Sequence, residues 1–426
     1  MAFHRTPSPG DQIALFAGYS QAHGTEPWTF DGDRAALLRD LHPYGPGSEP
    51  YEFIVHGGDL YMATRPDYYF YQLGNLVRFD GATGEASSVF IPPGRGRDYP
   101  DQLTDVEGVL YFAAAPFGVD NLYRLNDATG RAEDVWSSTG TIAGMTAVGD
   151  DLYFVNQWDG GSRLMVLDGG SGRVNDLAGA RRWDALRGLT EIGGDLYLGA
   201  GARILRVDGQ TQEVAAVRGA VLAGGAGPAF VEGGDGGVYF SGINARRGHE
   251  LFRLDPEDMD VRVYDLVRGR GGSEPDDLTL VDGELFFTAD TARHGRELAF
   301  IDEPAGRVRV IDVNRGRGDS DPDGLLADGD VLYFTAFRPD VGRELFRYDG
   351  GRRADLVADL APGPESSDAA PLGVVNGVLA ISYRDAAGEL SLASWDGRTI
   401  TLHDVPDGLA PRPAFTVLDS GGEWMV

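Results

Sequence analysis

Apolar residues recur along the chain in short runs separated by turns, and the unit at residues 276–322 shows the pattern best. An apolar run over 278–281 is followed by Asp282-Gly283, a second run over 284–289, a third over 296–302 and a fourth over 307–312. The fourth run alternates charged and apolar residues, and none of the four has helical spacing. Runs of about five residues joined by Asp-Gly and other glycine turns are typical of antiparallel strands. The pattern predicts a four-stranded antiparallel sheet.

This unit recurs nine times. One landmark is an apolar run with an inner aromatic residue after a Gly or Asp turn, found at Phe16, Tyr61, Tyr111, Tyr153, Tyr197, Tyr239, Phe286, Tyr333 and, in degenerate form, Ala380. A second landmark is an Asp or Asn that opens a turn, found at Asp31, Asp80, Asn126, Asp168, Asp208, Asp255, Asp302, Asp349 and Asp396. Successive copies of the first landmark lie 42 to 50 residues apart, which is a period of solenoids, propellers or arrays. Because so small a sheet cannot bury both faces alone, the copies must stack face to face, and this predicts a β-propeller.

The two ends of the chain complement each other. The first unit begins at residue 12 with the second strand of the pattern, and residues 414–419 match the missing first strand. We therefore predict an all-β fold with an N-terminal tail at residues 1–10 and one propeller at residues 11–426. It has nine four-stranded blades, and residues 413–426 complete the blade begun by residues 12–45, which removes the free sheet edges. Since propellers usually have four to eight blades, the alternative is eight blades with a displaced unit among residues 185–228.

Composition and charge exclude several classes of protein function. The 426 residues include no cysteine, and 66 acidic residues face 37 basic ones, every one of them arginine. A disulfide scaffold and lysine chemistry are thereby excluded. The net charge of −29 opposes binding to nucleic acid or to anionic membranes, and no stretch is long enough to be inserted in a bilayer. The first ten residues carry prolines and charge where a signal peptide has an apolar run, so the sequence alone indicates no export route and no location.

Three segments then resemble a known family. Residues 23–32, 294–302 and 341–350 are similar to the Glu-Leu-Trp-x-x-Asp-Gly-Thr repeats of the bacterial ELWxxDGT-repeat (hyalin-like repeat) β-propeller family, and residues 40–48 and 359–367 resemble its Asp-x-x-Pro-Gly-Ser linkers. The match is good in units one, six, seven and eight and partial elsewhere. Most copies have Phe or Ala in place of the Trp and lack the Thr. The resemblance implies a propeller of bacterial surface or secreted proteins, and it supplies no catalytic residues.

Aromatic residues cluster in the loops that join the second and third strands. Unit two has four in succession, Tyr68, Tyr69, Phe70 and Tyr71, and the equivalent loops of units three and four carry Phe117 and Trp158. Adjacent blades would then share an aromatic arc suited to a protein partner, with a glycan as the alternative ligand. A purely structural role is the competing interpretation, in which the rings pack on one another to hold a long loop.

One acidic loop has the spacing of a calcium site. Asp319, Asp321 and Asp323 alternate before Gly324, and three carboxylates at this spacing can converge on one hard cation. The sequence shows no helices beside this loop, although the calcium-binding motif would require them. The segments at the same position in other repeats are predicted to be connectors between blades, whose carboxylates cap turns. Calcium is therefore the one cofactor that the sequence suggests, and the fold requires none.

Two classes of function remain. The first is a non-catalytic binding module or scaffold that presents its loop face to a protein or glycan, in a bacterial surface or multiprotein assembly. The second is a lyase, glycosidase or lactonase that uses channel carboxylates, with or without calcium. The predicted inner strands at residues 103–106, 145–148, 189–192 and 278–281 contain only two acids, Asp105 and Glu191, and strand alternation could direct either of them outward. The sequence therefore favours binding over catalysis.

Overall fold

The structure, a computed structural model, describes residues 12–43, 47–65, 75–92, 99–115, 119–177, 185–219, 221–222, 230–302, 306–403 and 415–419. These residues form 37 strands and no helix. The fold is all-β and is a propeller of nine antiparallel blades, numbered here in chain order. The prediction of nine blades is thus confirmed, and the eight-bladed alternative is wrong. No described residue belongs to a helix that is long and apolar enough to cross a membrane.

One compact unit comprises residues 1–160, 165–175 and 372–426. It contains blades 1 to 3 and most of blades 4 and 9. Blade 1 comprises β1 (Gln12–Ser20), β2 (Gly24–Phe30), β3 (Ala35–Leu37) and the closing strand β37 (Thr416–Asp419). Blade 2 comprises β4 (Pro50–His56), β5 (Asp59–Thr64), β6 (Leu76–Phe79) and β7 (Ala86–Ser88). Blade 3 comprises β8 (Asp101–Val106), β9 (Val109–Ala114), β10 (Asn121–Asn126) and β11 (Arg131–Ser137). Blade 4 comprises β12 (Thr141–Val148), β13 (Asp151–Trp158), β14 (Gly161–Asp168) and β15 (Arg173–Asp176), and blade 9 comprises β33 (Ala370–Val375), β34 (Val378–Arg384), β35 (Leu390–Trp395) and β36 (Ile400–His403).

The other unit comprises residues 161–164 and 176–371 and contains blades 5 to 8. Blade 5 comprises β16 (Leu186–Ile192), β17 (Asp195–Ala200), β18 (Arg203–Val207) and β19 (Val214–Ala216). In blade 6 two short strands, β20 (Val221–Leu222) and β21 (Val231–Glu232), both pair with β22 (Val238–Asn244), which is followed by β23 (Gly248–Leu254) and β24 (Val261–Tyr264). Blade 7 comprises β25 (Asp276–Val281), β26 (Glu284–Thr291), β27 (Gly295–Asp302) and β28 (Arg307–Ile311), and blade 8 comprises β29 (Asp323–Asp328), β30 (Val331–Arg338), β31 (Gly342–Tyr348) and β32 (Asp355–Ala358).

The core of each unit consists of apolar clusters between successive blades. In the first unit, Phe16 and Phe30 of blade 1 pack with Leu392 of blade 9, and Leu15 of blade 1 packs with Met62 of blade 2. Further clusters join blade 2 to blade 3 and blade 3 to blade 4. In the second unit, three clusters join blades 5 and 6, 6 and 7, and 7 and 8. Each sheet therefore buries its faces against neighbours, as the repeat pattern required.

The C-terminal strand closes blade 1. β37 pairs antiparallel with β1, from Gln12 opposite Asp419 to Leu15 opposite Thr416. Phe415, just before β37, stacks on Phe16 with 5.9 Å between the ring centroids. The predicted closure of the first blade by the end of the chain is thus confirmed, and it covers an edge that β1 would otherwise expose.

Four blades share a buried hydrogen-bonded pair that we call the glutamate clasp. In each, a fully buried glutamate near the start of the third strand accepts a hydrogen bond from a buried serine of the connector to the next blade. The Oγ–Oε2 distances are 2.6 Å for Ser48–Glu26 and 2.5 Å for Ser273–Glu250, Ser320–Glu297 and Ser367–Glu344. The same carboxylates accept backbone N–H groups of the connector, such as that of Val313 on Glu297 at 2.9 Å. The glutamate thereby holds both the start of the connector, through the backbone N–H, and its end, through the serine just before the next blade.

A repeated bulge shapes the first strands. In blades 2, 3, 4, 5, 7 and 8 the register between the first and second strands shifts near the start of the first strand. In all but blade 2 the bulge residue has a positive φ, and these residues are Gln102, Gly144, Gly188, Asp277 and Gly324. A residue in this left-handed conformation is the hallmark of a glycine-type bulge. The bulge directs its side chain away from the normal strand alternation, and this decides what lines the candidate site.

Candidate functional site

A cavity of about 360 Å³ lies within the first unit, at the bulged ends of the first strands. We call it the first-strand cavity. Its walls come from β4, β8, β12 and β37, and the lining residues are Tyr51, Glu52, Phe53, Gln102, Leu103, Thr104, Gly144, Met145 and Thr416. Its volume lies at the lower end of the range for ligand pockets, about 300 to 1,000 Å³. It combines aromatic and aliphatic walls with a carboxylate, an amide and hydroxyl groups.

Glu52 and Gln102 make equivalent contacts from successive blades. Glu52 Oε2 accepts the backbone N–H of Leu103 at 3.0 Å, across the boundary between blades 2 and 3. Gln102 Oε1 accepts the N–H of Met145 at 2.8 Å, across the next boundary, and its Nε2 donates to the Ile142 carbonyl. Asp277 in blade 7 does the same to Leu325 at 2.8 Å. A side chain from each of these bulges therefore satisfies a backbone donor of the next blade.

The ring of Tyr51, which lines the cavity, is in contact with an arginine. The guanidinium of Arg65 lies 4.1 Å from the centre of the Tyr51 ring, within the range of a cation–π contact. The Tyr51 hydroxyl donates to the carbonyl of Pro100. Burial is the main cause that raises the pKa of this hydroxyl, so it stays protonated and acts as a donor.

Asp101 adjoins the cavity through its neighbour Gln102, and its environment is unusual. Burial raises its pKa to about 7, with additional effects of the charges of Asp120 and Glu52. Its Oδ1 atom is buried and has no hydrogen-bond partner among the described groups. Burial also raises the pKa of Asp120, whose Oδ2 accepts the backbone N–H of Ile142 at 2.8 Å. Asp101 is thus the carboxyl group near the cavity whose protonation changes close to neutral pH.

The two first-strand acids singled out in the sequence have structural partners. Asp105 Oδ1 accepts the N–H of Gly108 in the turn after β8, and its Oδ2 lies 2.6 Å from Nδ1 of the buried His56. Glu191 accepts the N–H of Gly194 in the corresponding turn after β16. Both acids therefore cap hairpin turns at the far end of their strands from the bulges, and neither lines the first-strand cavity.

The aromatic arc is described only in part. Tyr68, Tyr69, Phe70, Tyr71 and Phe117 lie outside the described residues. Trp158 ends β13 and is 36% exposed. The preceding Gln157 pairs with Thr141 at the start of β12, the strand that contributes Gly144 and Met145 to the cavity.

Exposed apolar residues recur where the second strand leads into the third. We call these turns the hairpin edge. Tyr19 in blade 1, Val119 in blade 3 and Trp158 in blade 4 belong to it in the first unit, and Ile243 and Phe337 occupy corresponding positions in the second unit. In the first unit, the bulged ends of β8 and β12 lie at the same end of their blades as these turns, because Asp101 pairs with Ala113 and Thr141 with Gln157. The hairpin edge and the cavity are therefore neighbours in blades 3 and 4.

The three aspartates of the acidic loop before Gly324 contact different partners. Asp319 Oδ1 accepts the backbone N–H of Arg296 at 2.8 Å, and the carbonyl of Asp321 accepts a hydrogen bond from Arg343. The Asp323 carboxylate lies 3.6 Å from the same arginine. Within the described ranges, no group of three or more Asp, Glu or His side chains is placed to hold a metal ion. Calcium at this loop stays a prediction.

Sequence reasoning missed both the cavity residues and the clasp. Glu52 and Gln102 each stand two residues after a proline, and this shared pattern is visible in the sequence as Pro50-Tyr51-Glu52 and Pro100-Asp101-Gln102. The signal for the clasp is a glutamate followed 22 or 23 residues later by a serine, in the four blades that resemble the repeat motif. The spacing identifies the pairs, but their burial is evident only in three dimensions.

No protein-family model matches the chain, and no curated protein matches it. Among solved structures the chain is similar to virginiamycin B lyase from Staphylococcus aureus, with a TM-score of 0.39 and 13% identity over 67% of this chain and 91% of that one. It is also similar to dipeptidyl peptidase 4 from Porphyromonas gingivalis, with a TM-score of 0.48 and 11% identity over 83% of this chain and 58% of that one. The β-propeller domain of the Trilobed protease from Pyrococcus furiosus gives a TM-score of 0.36 and 12% identity, over 73% and 95%. The assignment to nine blades therefore rests on the strand pairing of this chain itself.

Proposed function

We propose that the protein is a non-catalytic binding module that receives a protein partner at the hairpin edge and the adjoining first-strand cavity, with a glycan as the alternative ligand. The observation that carries this proposal is the recurrence of exposed apolar side chains in the turn region between the second and third strands: Tyr19, Ile243 and Phe337 share one position of the repeat, and Trp158 lies one residue further along. Large rings at an exposed edge combine contact area with a polar group, as in binding hot spots. A rigid sheet behind each turn presents these rings at little entropic cost.

The contacts of the first-strand acids favour binding over catalysis. Asp105 and Glu191 cap turns. Carboxylates engaged in this way serve to hold the backbone. This supports a surface built for recognition, and it agrees with the preference that the sequence indicates.

As part of this proposal we place the chain among the bacterial ELWxxDGT-repeat proteins, with a location at the cell surface or in a surface assembly. The support is that blades 1, 6, 7 and 8, which carry the motif, are the blades that form the glutamate clasp. The motif glutamate and the linker serine then have one shared structural reason to occur together. Sequences that contain one should contain the other at the same spacing.

Quantitative cross-linking capture from the native host tests the proposal. The variants are Trp158→Ser at the hairpin edge and, as a matched control, Leu402→Ser on β36, where Leu402 is 59% exposed away from the hairpin edge. We expect at least one protein, or one glycan on an array, to be retained by the wild type and by the Leu402 variant and lost from the Trp158 variant. Equal retention by all three would contradict a role of the hairpin edge.

A second candidate function is catalysis with Asp101 as a general acid. It is favoured by the pKa of about 7, because a carboxyl group that titrates near neutrality can donate and accept protons at working pH. The test is to incubate a ligand captured by the wild type with stoichiometric protein and to analyse it by mass spectrometry. Conversion by the wild type but not by Asp101→Asn would establish catalysis, and quantitative recovery of the intact ligand supports the binding module.

A further inference from the structure

We propose that the first-strand cavity binds an organic cation, a guanidinium or ammonium group carried by a small amine or by a basic side chain of a partner. This inference rests on the proposed binding function and specifies its ligand chemistry. It commits to Glu52 as the recognising carboxylate and to Tyr51 and Phe53 as the aromatic walls.

The negative charge of Glu52 is not needed for the hydrogen bond that this residue makes. Gln102 occupies the equivalent place in the next blade and satisfies the N–H of Met145 with a neutral amide oxygen, at 2.8 Å compared with 3.0 Å for Glu52 and Leu103. Gly144, Gly188 and Gly324 occupy the bulge in three other blades with no side chain. The fold therefore tolerates a neutral residue here, and a carboxylate in the cavity wall supplies charge that a ligand can use.

The aromatic walls suit a flat or compact cation. Tyr51 and Phe53 flank Glu52 on β4 and line the same cavity. The Arg65 guanidinium already covers one face of the Tyr51 ring, 4.1 Å from the ring centre, so a bound cation would contact Phe53 and the rest of the Tyr51 ring. Aromatic faces beside a carboxylate are the usual surroundings of bound ammonium and guanidinium groups.

The size of the cavity limits what can enter. At about 360 Å³ the cavity lies at the lower end of the range for ligand pockets, which suits one small amine or one long side chain. The ligand is therefore a single cationic group with its aliphatic stem, for which Met145 and Leu103 provide apolar contact.

The surrounding charge favours a cation. Arg65 brings one positive charge to a neighbourhood that contains the carboxyl groups of Glu52, Asp101 and Asp120, and burial raises the pKa of the last two. The whole chain carries a net charge of −29, and a field of this sign raises the local concentration of cations and speeds their association. The charge of the whole chain therefore favours a cationic ligand, and Glu52 is the carboxylate in the cavity wall that it would meet.

Isothermal titration of the full chain at low salt tests the inference with two pairs of probes. Butylguanidinium is compared with butylurea, its neutral analogue of the same shape. The peptide Gly-Gly-Arg-Gly-Gly is compared with the same peptide carrying citrulline in place of arginine. The first pair represents a small amine and the second a basic side chain of a partner, so the tighter of the two cations identifies the source.

We expect saturable binding of at least one cation and at least about tenfold weaker binding of its neutral analogue, because a hydrogen bond to a charged group is worth about 1.5 to 3 kcal/mol. Glu52→Gln should weaken the cation to the affinity of its analogue, and Asp277→Asn, the same change at the corresponding bulge of blade 7, should leave it unchanged.

Three results would overturn the inference: binding of neither cation, equal affinity for a cation and its analogue, or full affinity in the Glu52 variant. Of these, equal affinity would leave the binding function standing while removing its cationic ligand. Partner capture that depends on Trp158 tests the binding function separately.

Discussion

Replacing a clasp glutamate should change how the stability of the protein depends on pH. Burial raises the pKa of Glu297 from its ordinary value of 4.5 to about 7, although Ser320 and the Val313 N–H oppose this effect. Between these two pH values the folded protein binds more protons than the unfolded chain, so stability falls as pH rises. A difference of one in pKa is worth about 1.4 kcal/mol. Glu297 therefore contributes a loss of about 3 kcal/mol between pH 4.5 and pH 8.

The variant Glu297→Gln keeps an acceptor for Ser320 and cannot ionise. We expect the difference in the free energy of unfolding, wild type minus variant, to fall by about 3 kcal/mol as pH rises from 4.5 to 8. Urea unfolding at a series of pH values measures this difference. Glu85→Gln, at an exposed position outside the clasp, is the control and should give a constant difference. A difference that stays constant or grows with pH in the Glu297 series would refute the reasoning, because it would mean that the hydrogen bonds outweigh burial.

Two further predictions concern the connectors and the closure of blade 1. Gly342→Ala should destabilise the protein by at least about 3 kcal/mol, because φ is 76° and a Cβ would lie 2.0 Å from the Glu365 carbonyl oxygen. The control Gly350→Ala, where φ is 83° and the space is open, should cost only about 1 kcal/mol. Equal losses of stability on thermal unfolding would contradict the close contact at Gly342. Phe415→Ala should destabilise by about 2 kcal/mol and speed amide exchange in β1, since the ring stacks on Phe16 and is half-buried. Unchanged exchange would show that the Phe415 ring does not help to hold β37 against β1.

The number and order of the blades could be predicted because the repeat is local. A turn-opening Asp marks the same position in each repeat. Asp80 Oδ1 accepts the backbone N–H groups of Ala82 and Thr83, and these hydrogen bonds lower the pKa of its carboxyl group. Asp208 does the same in blade 5. The hydrogen bonds of such a turn span two or three residues, so the sequence alone displays them.

In blade 1 the residue taken as the aromatic landmark lies one position further along its strand than the landmark of the other blades. Tyr333 faces Arg347, two residues before the turn-opening Asp349, and the residue that faces the corresponding Thr29 is Leu15. Phe16, chosen in the sequence, faces Trp28 and corresponds to Phe334. Both positions of a fully buried strand are apolar, so the pattern of apolar residues cannot distinguish its two faces.

The cavity residues and the clasp could not be predicted from the sequence because their contacts join residues that are far apart along the chain. Glu52 contacts a residue 51 positions away, and Glu297 contacts one 23 positions away. Whether such a carboxylate is buried or exposed depends on how neighbouring blades stack, and the composition of its own strand does not specify this. The sequence therefore predicts the frame of the protein well and misses the residues of the cavity, and the role of Trp158 stays a prediction.

The most direct test of a ligand site between the first strands is the methyl signal of Met145 in protein labelled with ¹³C at the methionine methyl groups. The chain has six methionines, and Met145 lines the cavity whereas Met259 packs in the core between blades 5 and 6. On titration with butylguanidinium, we predict a saturable shift of the Met145 signal, no shift of the Met259 signal, and loss of the Met145 shift in Glu52→Gln. A Met145 signal that does not move, or that moves equally in the Glu52 variant, would contradict this account.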